Sequence, residues 1–97
     1  MAATTTVTLN PVKITVSGTS ENTIDLDAVM ADSVCTALIE WVSGTTIQFN
    51  ANDRAITAAS AAINSTQTKL IVDIQKGQYL RCKGGAGSET FNITIID

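Results

Sequence analysis

A chain of 97 residues has room for one hydrophobic core and not two, and its composition, 44% hydrophobic but 4% aromatic, makes that core aliphatic. Nine acids against six bases give a net charge of −3 with no concentration of Lys or Arg, which speaks against a phosphate-binding surface and nucleic acid as a partner. The absence of histidine removes Ser–His and Cys–His nucleophile pairs, and no apolar run approaches the roughly 20 residues of a membrane span, so neither that chemistry nor a membrane partner is expected.

The chain opens on a polar stretch, Ala2, Ala3, Thr4, Thr5 and Thr6, without the basic and apolar regions of a signal peptide. The expectation is a protein made in the cytoplasm, with an arm over residues 1–6 and one domain over 7–97. The arm is too polar for the core, yet its threonines favour extended backbone, so it is expected to be mobile until it meets a partner. Apolar residues then alternate as Val7 and Leu9, followed by Val12, Ile14 and Val16. The phase slips at Asn10-Pro11, as at a bulge or break in an edge strand.

Ser17-Gly18-Thr19-Ser20 reads as a turn, and a short strand over 23–26 points Ile24 and Leu26 inward and Asp25 outward with Asp27. Residues 34–42 carry Cys35, Ala37, Ile39 and Trp41 on one side and Val34, Leu38 and Val42 on the other, the pattern of a central strand covered on both faces. A helix over 27–40 competes with that reading, which is preferred for its alternation. A hairpin-length turn at Ser43-Gly44-Thr45 leads to Ile47 and Phe49. The Ala-rich segment 51–66 has no clean period and is expected to be a long connection with one helical turn near 58–62.

Alternation resumes with Leu70, Val72 and Ile74. A turn at Gln75-Lys76-Gly77 precedes Leu80 and Cys82, Gly84-Gly85-Ala86-Gly87-Ser88 reads as a hairpin loop, and Phe91, Ile93 and Ile95 face inward in the last strand. Seven or eight short strands at this spacing specify an all-β chain, a single-domain antiparallel β-sandwich of jelly-roll type.

Candidate chemistry is sparse. Asp25 and Asp27 share a face as a glycosidase carboxylate pair would, but without an aromatic platform for a sugar, so they read as a solvated face. Asn50, Asn52 and Asp53 lack calcium-loop spacing and a closing glutamate, and read as turn formers. Cys35 and Cys82 fit the immunoglobulin pattern neither in their relation to Trp41 nor to Tyr79, so two buried free thiols are expected. The Gly-rich run has no helix behind it and no Lys-Ser/Thr, so it is not a phosphate loop. Trp41 reads as a core residue, and the acceptor patterns at Asn64 and Asn92 follow from an Asn- and Thr-rich composition. No catalytic residue, metal or cofactor is expected, and the chain reads as a non-enzyme.

The arm leading straight into a strand, the run Ile39-Glu40-Trp41-Val42-Ser43-Gly44-Thr45-Thr46-Ile47-Gln48-Phe49, and Lys76-Gly77-Gln78-Tyr79-Leu80-Arg81 before a Gly-rich loop together resemble small bacteriophage virion accessory proteins. These are capsid decoration or cement proteins and head- or tail-fibre modules. The resemblance implies a structural virion protein that binds the major capsid protein or another virion protein, forms a homo-oligomer, most often a trimer, and clips on through an arm. A carbohydrate- or receptor-binding β-sandwich of a tail fibre or surface adhesin is the alternative. The residues expected to contact the partner are Ala2, Ala3, Thr4, Thr5 and Thr6.

Overall fold

The period-two pattern becomes two packed sheets in a computed structural model that describes residues 4–52 and 54–96. Nine strands lie within those residues: β1 (Thr4–Thr6), β2 (Val12–Thr15), β3 (Asn22–Asp25), β4 (Val34–Ser43), β5 (Ile47–Asn50), β6 (Ala61–Ile63), β7 (Lys69–Gln75), β8 (Leu80–Gly84) and β9 (Thr90–Ile96). A short 3-10 turn over Asp27–Val29 is the helical element among them. One sheet runs β1-β3-β8-β5-β6 and the other β2-β9-β4-β7.

The antiparallel pairs are nested. β2 pairs with β9, β3 with β8, β4 with β7 and β5 with β6. A long ribbon folded at β5–β6 and rolled up produces that set, and the roll is closed by β4 against β9 and β5 against β8. This is the jelly roll, with β1 added in parallel beside β3.

Inward-facing side chains of both sheets form one core. Phe49 of β5 meets Phe91 of β9 edge to face across the sandwich, with ring centroids 5.0 Å apart, and Ile24, Ile39, Ile47, Ile63, Ile74, Leu80 and Ile93 close around them. Val12, Leu70, Val72 and Trp41, expected inside, are partly buried and pack on its margin. Leu26 is buried beside Ile24 as expected.

The strand preferred over a helix at 34–42 forms as β4, after the short turn at Asp27–Val29. Several other local expectations need correction. The outer face of β4 is not covered by the described residues: Val34 is 54% and Val42 39% exposed. No helical turn forms near 58–62, where Ala61–Ile63 is instead the edge strand β6. The strand expected around Val7 and Leu9 ends at Thr6. Val7 stays buried, bonding its amide to the Asp25 carbonyl at 2.9 Å, while Leu9 turns outward ahead of the cis Asn10-Pro11 bond.

The turns at 43–45 and 84–88 are not hairpins. Each carries the chain from one sheet to the other, as does the turn at 75–77. The one pair of strands consecutive in sequence and adjacent in a sheet is β5–β6, across the long connection. Facing sheets lie only about 10 Å apart, so an arch of a few residues spans them as easily as a tight turn joins neighbours.

Candidate functional site

Thr4–Thr6 lie in the fold as a strand, not as a free arm. β1 pairs residue for residue with Thr23, Ile24 and Asp25, and the Thr4 and Thr23 hydroxyls are 2.7 Å apart. Ordering follows from Val7, whose burial holds the end of β1 against the sheet. Ala2 and Ala3 lie outside the described residues. β1 is an edge strand, all three of its threonines are exposed, and a cleft of about 230 Å³ opens beside it, lined by residues 5–9 and 12–15 with Lys13 as the charged side chain.

The carboxylates weighed for catalysis act on backbone. Asp25 Oδ1 accepts the Asp27 amide at 3.1 Å, and Asp27 Oδ1 accepts the Gly77 amide at 2.8 Å. Each therefore fixes a turn, as short acidic side chains commonly do. Asn50 donates to the Ala55 carbonyl at 3.1 Å, and Asn52, at positive φ, accepts the Gln75 amide at 3.2 Å; Asp53 lies outside the described residues. Among the described residues no cluster of three or more His, Cys, Asp or Glu is placed to hold a metal.

Cys35 and Cys82 are buried thiols that form no disulfide, on β4 and β8 of opposite sheets. Burial pushes the Cys82 thiol up to about 12, far from the thiolate that nucleophilic chemistry needs. Trp41 is partly buried, with its indole N–H shielded from solvent and without a hydrogen-bond partner. Tyr79 is 38% exposed at the entry to β8.

The most constrained polar group is one that the sequence reading passed over. Glu89, at the arch between β8 and β9, is 0% exposed. Its carboxylate accepts the amides of Ala86 at 2.6 Å, Gly87 at 2.8 Å and Ser88 at 3.0 Å, and the Thr45 hydroxyl from the neighbouring arch. Burial on its own raises this carboxyl, but the Thr45 hydroxyl and the backbone amides outweigh it and hold the group down at about 2. The site is roofed by glycine. A Cβ on Gly84 would collide with the Glu89 carboxylate, and one on Gly44 would stand 2.7 Å from its Cγ. The Gly-rich run thus cradles an anion after all, and the anion is a side chain of the same chain.

Among the described residues the edge strands are β1 and β6 in one sheet and β2 and β7 in the other, and the outer face of the four-stranded sheet carries exposed apolar side chains. On that face Leu38 stands beside Ile71 and Thr36 beside Ile96, and Ile71 and Ile96 are 66% and 47% exposed. No family model, curated protein or solved structure matches this chain.

Proposed function

We propose that this chain is a structural, non-enzymatic protein that attaches to a larger protein surface, and that this surface is a bacteriophage capsid that it decorates or stabilises. The observation that carries the reading is the outer face of the four-stranded sheet, where Val34, Ile71, Ile96 and Val42 stand exposed on an antiparallel surface. Apolar side chains grouped on such a face favour burial against protein. The polar groups nearest to chemistry are spent on turns and arches, which leaves contact as the work the surface can do.

The jelly roll supports the virion reading by analogy, since the architecture recurs in capsid proteins, and the same analogy extends to lectins. A sugar-binding module needs an aromatic platform, and Tyr79 is the one exposed large aromatic among the described residues. Shell contact is therefore preferred. β1 fits it as a second contact strip, because its free edge can take a strand from a capsid subunit through backbone bonds alone. Thr4, Thr5 and Thr6 then meet the partner as the rim of an ordered sheet, and Ala2 and Ala3 belong to the same proposed contact.

The test is immunogold labelling of purified particles of the encoding phage with antibody to the isolated domain, alongside quantitative mass spectrometry of the same particles. Label over the head at many copies per particle is the expected result. Particles free of the polypeptide would overturn the reading.

A further inference from the structure

Successive residues of an antiparallel strand send their amide and carbonyl to opposite sides. Along β7 the even positions face β4, because the Trp41 amide donates to the Thr68 carbonyl and the Lys76 amide to the Ser33 carbonyl, each at 2.8 Å, at the two ends of the strand's register. The odd positions Lys69, Ile71, Asp73 and Gln75 therefore turn their backbone groups to the free edge. There the Gln75 amide is met by Asn52 Oδ1 at 3.2 Å, and the Lys69 carbonyl by the Gln67 side-chain amide at 3.0 Å. The open stretch is centred on Ile71.

The same odd positions put exposed side chains on the outer face. A second β7 related by a two-fold axis can be centred near this stretch in three ways. Centring on Leu70 sets Lys69 against Ile71, and centring on Val72 sets Asp73 against Ile71 and Lys69 against Gln75. Centring on Ile71 sets Lys69 against Asp73 of the second copy, Asp73 against its Lys69, and Ile71 against Ile71. That register alone matches charge with opposite charge at Lys69 and Asp73 and apolar with apolar at Ile71.

We propose that two copies of this chain pair through β7, antiparallel about a two-fold axis at Ile71, joining their four-stranded sheets into one continuous sheet. The edge supplies the backbone bonds, and the outer face gains an apolar seam, Leu38-Ile71 continuing into Ile71-Leu38. The Thr36 hydroxyl, 3.1 Å from Asp73 Oδ1, holds that carboxylate on the face where Lys69 of the other copy would meet it. The symmetry is two-fold, where the resemblance to virion accessory proteins implies three-fold, and the pairing does not depend on a capsid.

Sedimentation velocity across a concentration series tests it. The intact protein should dimerise, and Ile71→Lys, which alters an exposed side chain and sets like charges across the axis, should weaken the dimer by about tenfold or more without changing the circular dichroism spectrum. Lys69→Asp and Asp73→Lys should each weaken self-pairing, while a mixture of these two variants should form heterodimers, because every outer charge then meets its opposite. An intact protein that stays monomeric at its highest soluble concentration overturns the proposal, as does a dimer indifferent to Ile71→Lys. Variants that fail to complement on mixing overturn the register. A monomer that still labels phage heads would remove the edge pairing and leave the capsid reading standing.

Discussion

Glu89 shows at the scale of one residue how a buried charge becomes a structural tie. A carboxylate taken from water is costly unless donors replace its hydration, and here three consecutive amides and a hydroxyl do so. Its folded-state pKa of about 2 lies below the ordinary 4.5, so the stabilisation is complete above the higher value and is lost as pH falls from there towards 2. Acid unfolding followed by tryptophan fluorescence should therefore show stability falling over this window, and Glu89→Gln, which leaves the backbone amides without their anion, should both destabilise the domain by about 1–3 kcal/mol at neutral pH and flatten the acid limb. An unchanged acid limb in the variant would show that other carboxylates carry the dependence. Trp41 is the opposite case. Its shielded N–H lacks a partner, so Trp41→Phe removes an unsatisfied donor along with some packing, and urea melts should place the change within about 1 kcal/mol of zero.

Elements were legible in the sequence wherever burial repeats every second residue. Ile24 and Leu26, Cys35 to Ile39, Ile47 and Phe49, and Phe91 to Ile95 all face the core as alternation requires. Pairing was not legible, because the same Gly-containing turn can join neighbours in one sheet or arch between two. The residue that decides at 84–88 is Glu89, which needs the arch to enclose it, and an acidic residue straight after Gly-Ala-Gly-Ser was the available signal. β1 was misread for a related reason: three threonines are polar in composition, but Val7 after them is buried and fixes their edge to β3. Deleting residues 1–6 removes that strand, and loss of a few exposed backbone bonds at about 1 kcal/mol in total should lower the Tm by roughly 4–8 °C. Scanning calorimetry measures it. An unchanged midpoint would mean that β1 adds nothing to the isolated domain.

Over the whole molecule, the jelly roll makes each sheet depend on the other. The ribbon crosses between sheets at nearly every turn, and the shared core is filled from both sides, as by Phe49 against Phe91. Cooperative opening follows, since neither sheet has a core of its own to retain. The two thiols report on this directly, because Cys35 sits in the four-stranded sheet and Cys82 in the five-stranded one, both buried. Cys82, held up at about 12 by burial, is unreactive until the sandwich opens. Under native conditions with excess alkylating reagent, both cysteines should therefore be modified slowly and at the same rate, and urea should accelerate both equally, whereas sub-global opening would release one first. Time-resolved mass spectrometry distinguishes these outcomes: doubly modified protein should accumulate with little singly modified intermediate. A persistent single adduct on Cys35 would mean that β4 opens alone, and that the outer sheet bearing Ile71 is a separately mobile surface.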